Sequence, residues 1–408
     1  MPDAKLSDIA TPPTHASGIA AFLARPEVLA FAARAFALYS SWSQKPLRIG
    51  NTVVVGRHAS AIEVLSRDLD FRIGPVNAAR INAVNGPFIL GMDRGETLVR
   101  ERAALYRALA KVDLDSLREQ VARTIEARIV AAGDQIDAVG GYARPIAGTT
   151  AQTLFGVKGS DETTFLDVAR AIFGHVFLNL NNDKDVEARA MRAAPLLGGW
   201  LLSEIESRRS LGHYGADLMG GLLSEPTIAS DDAGNDLIRR TLGGMLVGSI
   251  DTTATSVAKI MTVVGRDKTL AANIAADVDD FSRLQGWCWE ALRRWPHDPI
   301  VLRSAAVETQ LAGIDIHVND QIFVYTQAAM LDASVFPAPQ VLSPTRPTRR
   351  YLHFGGGLHP CAGRSINAFQ IPLLVGALVR RGIKSVGTIS WAGPFPDHLP
   401  VTFNRMST

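Results

Sequence analysis

Residues 237–264 are apolar nearly all the way round a helical repeat and rich in Gly and Thr, and they hold a single carboxylate, Asp251. A helix with no polar side has no face to give to water, so the rest of the chain must enclose it. This stretch therefore calls for a large, mainly α body with the 237–264 helix running through its middle. The chain has the material for that, with 408 residues of which 47% are hydrophobic.

The remaining pattern is largely helical. After a loose start containing Pro12 and Pro13, residues 18–41 are Ala-rich with apolar positions at helical spacing, and a β-like stretch follows at 47–55. Residues 59–66 read as a helix and 74–90 as a mostly uncharged loop punctuated by Gly, Asn and Pro. Helical spacing continues through 94–132, 144–155, 161–178, 187–209 and 216–223. Another helix, 277–295, stops at Pro296. Short strands are expected at 301–306, 310–318 and 321–325, then a Pro-rich irregular stretch at 335–347, a Gly-rich turn and a final helix over 363–381. Strand signals thus gather in two regions, roughly 45–60 and 300–330. With no repeat and no linker, 1–408 reads as one domain.

Charge and cysteine usage narrow the function classes. Forty-two basic against 40 acidic side chains leave a formal net charge of +2, unlike the clustered basic surface of a nucleic-acid binder. Cys288 and Cys361 are too few for a disulfide framework, and the N-terminus lacks the basic, apolar, small-residue order of a secretion signal. Every apolar stretch is interrupted, so no membrane span is expected, and a reducing cytoplasm is the natural setting.

The segment richest in chemistry is Phe354-Gly355-Gly356-Gly357-Leu358-His359-Pro360-Cys361-Ala362-Gly363. Three consecutive glycines permit positive φ and close approach, and a thiolate before a helix N-terminus is stabilised by the dipole and free N–H groups, which lowers its pKa. One Cys without a CxxC partner is wrong for structural zinc and right for haem iron held by a single axial thiolate. The alternative is a buried free Cys in a turn. Glu290 and Arg293 lie on one helical face at i and i+3, either as a solvated pair or, given Trp287, Trp289 and Trp295 nearby, as a buried one. Asp251 needs a reason to sit in an apolar helix; Thr252 beside it can turn its hydroxyl to the Gly248 carbonyl and bend the helix. A core Asp that caps a neighbour or faces a cavity is the alternative. His297, His353 and Cys288 show no ligand spacing and read as isolated residues.

These motifs, in this order, resemble those of the cytochrome P-450 family. Phe354, Gly357, Cys361 and Gly363 fit its FxxGxxxCxG signature, with His359 at the basic position two before the Cys; Glu290 and Arg293 fit ExxR; Gly248 to Thr252 fit (A/G)Gx(D/E)T if Ser249 replaces a small residue. The resemblance implies a mainly α P-450 fold with a smaller β-rich region, and haem b (iron protoporphyrin IX) with Cys361 as proximal iron ligand and Phe354 beside its sulfur. It implies propionate contacts from His359 and Arg303, and Arg346 joining the Glu290–Arg293 pair, where an ordinary surface Arg is the alternative. Thr252 would steady dioxygen (O2) and its water while Asp251 relays protons. The chain departs from the family at Asp93-Arg94-Gly95-Glu96-Thr97, which lacks the usual His, so Arg102 or Arg100 is left as the propionate contact on that helix, with Arg102 preferred. It also departs at Ala328 to Asp332, where Ala-Asn-Arg-Asp is common.

The implied activity is monooxygenation of a hydrophobic small molecule. There is no dinucleotide-binding GxGxxG, and the 45 residues after Gly363 leave no room for a fused reductase, so electrons are expected from a separate ferredoxin-type partner. Arg349, Arg350 and Arg364, with Arg102, Arg107 and Lys111, are expected to form a basic face for it. Segments 74–90, 171–197, 244–250, 299–302 and 393–399 carry few charges and are the expected cavity walls. Isomerase or peroxide-driven chemistry, or a non-catalytic haem sensor, are the competing readings; Asp251 and Thr252 favour dioxygen activation.

Overall fold

A computed structural model of the chain describes residues 8–14 and 26–404. The backbone divides into two compact units: one comprises 8–14, 77–255 and 389–400, the other 26–76, 256–388 and 401–404. Helices dominate both.

In the first unit, helices Leu114–Ala131, Glu162–Phe173, Lys184–Leu211, Leu218–Leu223 and Asp232–Val247 each begin behind an aspartate, Asp113, Asp161, Asp183, Asp217 and Asp231, whose carboxylate accepts from N–H groups of the first turn. Such caps satisfy donors that a helix start leaves free, worth about 1 kcal/mol each. Arg144–Phe155 and Lys184–Leu211 end on Gly156 and Gly212, both left-handed, as helix C-termini often do. Two five-residue π segments, Val139–Ala143 and Gly174–Leu178, adjoin helices of this unit. Strand Ser390–Ala392 pairs antiparallel with Phe395–His398 and with Pro13–Thr14.

The second unit holds the helices Pro26–Ser43, His58–Ser66, Lys268–Ala276, Phe281–Arg294 and Arg364–Arg380, and a five-stranded sheet. The sheet order is Leu47–Ile49, Thr52–Val55, Gln321–Val324, Val301–Ala305, Phe71–Arg72, with Thr52–Val55 parallel to Gln321–Val324 and the other pairs antiparallel. Val53, Val55, Ile322 and Val324 alternate into the core as a half-buried sheet requires. The expected strand at 310–318 is a hairpin of Thr309–Leu311 and Ile314–Ile316, turning on Ala312 and Gly313, both at positive φ.

Three further expectations need correction or restriction. The first helix is Pro26–Ser43; residues 18–25 of the expected 18–41 helix lie outside the described residues. Gly74–Val84 is helical where a loop was expected, because Pro75 suits a first turn and Gly86, at φ +78°, stops the helix. The continuous 237–264 helix is two helices, Asp232–Val247 and Ile250–Arg266, broken at Gly248 and Ser249. Here hydroxyls take over backbone carbonyls: Ser249 Oγ donates to Leu246 O at 2.7 Å and Thr252 Oγ1 to Gly248 O at 2.8 Å. Among the described residues no helix is long and apolar enough to cross a membrane.

Candidate functional site

The cysteine loop is shaped by its glycines. Gly355 and Gly357 have φ of +63° and +65°, and a Cβ on Gly357 would lie 1.6 Å from the Leu65 carbonyl oxygen, so no other residue fits there. The Cys361 N–H donates to Phe354 O at 2.9 Å and closes the loop, and helix Arg364–Arg380 starts immediately after. Phe354 is held edge-on by Trp289, with ring centroids 5.4 Å apart, and by the Arg364 guanidinium 6.0 Å above its face. Cys361 is exposed. Its thiol pKa is nonetheless raised, because protein crowds the sulfur; the Gly363 N–H and the Arg364 charge oppose this without outweighing it. The expected lowering by the helix start is thus present as a contribution and loses to desolvation. Cys288, fully buried, is pushed up by burial and is inert core.

In the same unit, Glu290, Arg293 and Arg346 come together. Arg293 grips Glu290 bidentately, Nε to Oε1 at 2.8 Å and Nη2 to Oε2 at 2.9 Å, with both side chains wholly buried. Arg346 Nε donates to Glu290 Oε2 at 3.2 Å. Two further donors carry no periodic sequence signal: Tyr351 Oη, 2.7 Å from Oε1, and the Ser343 N–H, 3.0 Å from Oε2. Arg293 Nη1 also donates to Pro339 O at 2.8 Å, and Arg346 Nη2 to Val341 O at 2.9 Å. The cluster therefore ties helix Phe281–Arg294 to the irregular chain that leads to Cys361. Burial would raise the Glu290 carboxyl, yet Arg293 and the other donors hold it below its usual range. It is a charged, satisfied group.

Arg303 is buried on strand Val301–Ala305, with Nη1 donating to Leu302 O at 2.7 Å. The chain entering that strand is pinned by Lys259, a buried cation that sequence reading passed over. Its Nζ donates to Pro296 O at 2.7 Å and His297 O at 3.0 Å and stands 5.2 Å from the Trp295 ring centre. Burial pulls the Lys259 pKa from 10.5 to about 8. Below pH 8 the lysine is charged in both folded and unfolded chains, and folding bears the whole desolvation cost. Between about 8 and 10.5 the folded form releases its proton first, so stability rises with pH through that window. Urea unfolding of the wild type against Lys259→Met should show the wild type gaining on the variant across this range; a constant difference would contradict the assignment. His359 is half-buried in the cysteine loop.

In the first unit, Asp251 and Thr252 share a turn and face different partners. Asp251 is 2% exposed, and its Oδ1 accepts from Arg170 Nε at 2.9 Å, with Arg170 Nη2 at 2.8 Å and Arg144 Nε at 3.4 Å. Arg170 Nη1 reaches Asp397 Oδ1 at 2.7 Å, and Asp397 is partly exposed. Burial would lower the Arg170 pKa, but the two carboxylates raise it, so this buried guanidinium stays charged. Asp251 Oδ2 is buried with no hydrogen-bond partner among the described residues. Arg102, on helix Glu96–Leu109, lies 5.6 Å from the Tyr106 ring centre. Arg107 is engaged by the buried Glu225 at 2.9 Å, which offsets its charge.

A small apolar pocket opens in this unit. Ile81, Asn85 and Phe88 wall one side, Ile172, Val176 and Phe177 another, and Gly243, Gly244 and Val247 a third. Three of the expected wall segments thus meet, the second through the π segment Gly174–Leu178, a distortion that often marks functional places. Gly244 is required, since a Cβ there would lie 2.6 Å from the Phe88 ring.

The comparisons bear on this arrangement directly. A family model described as Cytochrome P450 matches residues 222–381, which include the Asp251–Thr252 turn, the Glu290 cluster and the cysteine loop. The chain is 24% identical over 313 residues to the vitamin D3 dihydroxylase of Streptomyces griseolus, covering 75% of this chain and 73% of that one. It is 26% identical over 298 residues to the cytochrome P450 monooxygenase PikC of Streptomyces venezuelae, covering 70% and 66%. The open cytochrome P450 EryK from S. erythraea superposes with a TM-score of 0.75 at 20% identity, over 93% of this chain and 98% of that one. P450BioI, solved with an acyl carrier protein bearing hexadec-9Z-enoic acid, superposes with a TM-score of 0.79 at 16% identity, over 92% and 100%. A glycine-shaped loop presenting one thiol, a buried Glu–Arg cluster behind it and a helix broken beside an Asp–Thr turn are therefore found in a chain whose residues 222–381 match the Cytochrome P450 family model and whose fold is that of solved cytochrome P450s.

Proposed function

We propose that this chain is a cytochrome P450, a haem-thiolate monooxygenase that inserts one atom of O2 into a hydrophobic small molecule, using electrons from a separate ferredoxin-type protein. The observation that carries the reading is Cys361, an exposed residue set in a loop that only glycine at 357 permits, with the Gly363 N–H directed at its sulfur. A single thiolate with one backbone donor suits haem b, and among the described residues no three His, Cys, Asp or Glu side chains gather to hold a bare metal ion.

Cys361 would ligate the haem iron, Phe354 and Gly363 would support its sulfur, and His359, Arg303 and Arg102 would meet the propionates. Bound there, haem supplies the two-electron activation of dioxygen that sends one oxygen atom to the substrate and the other to water. The protein's own work is positioning and proton handling. Glu290, Arg293 and Arg346 fix the chain leading into the cysteine loop. The apolar cavity holds the substrate and keeps water away from it. Asp251 Oδ1 is committed to Arg170, so Oδ2 is the oxygen available to take up and pass on a proton. Thr252 Oγ1 hangs on the carbonyl freed at the helix break. Arg349 and Arg364, both exposed beside the cysteine loop, offer positive charge to an acidic redox partner.

The role of Thr252 is tested by Thr252→Ala in a reconstituted NAD(P)H-driven mixture. Cofactor consumption should continue while product per NAD(P)H falls severalfold and hydrogen peroxide rises. Thr252→Ser, which keeps the hydroxyl, should restore coupling. Undiminished coupling in Thr252→Ala would contradict the assignment.

A further inference from the structure

We propose that helix Pro26–Ser43 pairs with the same helix of a second copy of this chain, through a stripe formed by Phe31, Ala35, Leu38 and Trp42. The inference concerns a face outside the candidate site and stands whether or not the monooxygenase reading holds.

The helix has only two charged residues, Glu27 and Arg34, in 18 positions. One side of it is used by the fold: Ala33 and Ala37 are buried with Ala328 and Leu331, and Phe36 and Tyr325 pack against them. A surface helix ordinarily turns charged and polar residues outward from such a core face. This one turns out large apolar side chains instead. Phe31 and Leu38 are each 72% exposed, and Trp42, at 83%, is the most exposed large apolar side chain among the described residues. At about 100° per residue, positions 31, 35, 38 and 42 fall within roughly 60° of arc, opposite Ala33 and Ala37. Single exposed apolar residues are ordinary on a protein surface, whereas a contiguous stripe marks a contact surface.

The spacing points to what covers it. Steps of 4, 3 and 4 residues are those of the seam of a two-helix pair, in which each large side chain enters a gap on the facing helix and a small residue such as Ala35 opens one. A second copy supplies a facing helix with the same stripe. Phe31 and Trp42 together expose roughly 350 Å². With Leu38 and the rim at about 500 Å² per copy, the pair would cover about 1,000 Å², the size at which a specific interface begins. A lipid surface fits less well, since helices that lie in a membrane interface carry several Lys and Arg beside the apolar face, and Arg34 is the one basic residue of this helix. So neutral a face matches an acidic redox partner no better.

The test is sedimentation velocity of the full-length, haem-loaded protein between about 1 and 200 µM, where an interface of this size should show a reversible monomer–dimer equilibrium. A two-fold interface counts each substitution twice, so Trp42→Glu and Leu38→Glu should each weaken the dimer at least about a hundredfold. Both side chains are exposed in the single copy, so both variants should keep the wild-type circular dichroism. Val130→Glu, which alters a lone 78%-exposed apolar residue on helix Leu114–Ala131, should dimerise like wild type. A wild type that stays monomeric throughout would overturn the proposal. If that monomer cosediments with phosphatidylcholine–phosphatidylglycerol vesicles, the stripe belongs to a lipid surface; if it does not, the stripe belongs to residues 1–25 or to another protein. A dimer that survives both glutamate variants, or one that Val130→Glu also dissolves, would equally overturn it.

Discussion

Arg293→Ala should cost about 3–5 kcal/mol of folding stability, the penalty for leaving a buried charge without its partner. Glu290 would keep Arg346, Tyr351 and Ser343, but it would lose both arms of the bidentate grip in a place where neither side chain meets solvent. The Pro339 carbonyl would lose its donor, the Val341 carbonyl would be left with Arg346 alone, and the Phe336 ring would lose the guanidinium 5.4 Å from its centre. Since domains are stable by only about 5–15 kcal/mol, this loss takes a large share of the total. Arg293→Lys, which keeps the charge and forfeits the fork, should fall between alanine and wild type. The double variant Glu290→Gln/Arg293→Met should recover part of the loss, because it removes both charges together. Urea unfolding reads all of these, and a loss under about 1 kcal/mol for Arg293→Ala would show that the pair is not the tie it is taken to be.

Cys361→Ala should have the opposite profile, with total loss of monooxygenase activity and little loss of protein stability. The residue is exposed, the loop is closed by its backbone N–H to Phe354 O, and Gly355 and Gly357 set the turn without help from the sulfur. Surface truncations of this kind usually change stability by about 0.5 kcal/mol or less. Unfolding of the haem-free protein should therefore be nearly unchanged. The two variants separate the two jobs of this half of the chain, since one removes the frame and keeps the ligand while the other does the reverse.

Where chemistry follows from local spacing, the sequence was legible. Glu290 and Arg293 are three residues apart on one helix, and their neighbours Trp287, Trp289 and Trp295 already suggested the burial that the structure displays. Thr252 was expected to seek the Gly248 carbonyl, and it does so at 2.8 Å. What local reading did not foresee was that the helix parts completely there, because Gly248 and Ser249 weaken the same turn from both sides. Arg144, Arg170, Asp397, Tyr351 and Lys259 went unseen for another reason. Each is a single polar residue whose partner is fixed by tertiary packing across tens to hundreds of positions, and periodicity carries no information about such pairs. The Gly74–Val84 helix was hidden by its own boundary residues, since Pro75 and Gly86 signal a loop when read alone and a helix start and stop when read together. The sign of the Cys361 shift was missed because a helix dipole can be inferred from sequence, whereas the crowding that outweighs it cannot.

The central claim is that Cys361, as a thiolate, holds haem iron. Its most direct test is the absorption spectrum of the reduced carbon monoxide complex, compared between wild type and Cys361→Ala loaded with haem. Thiolate ligation predicts a Soret band displaced to long wavelength in the wild type and absent from the variant. A wild-type band at the ordinary position, or a displaced band that survives in Cys361→Ala, would contradict it.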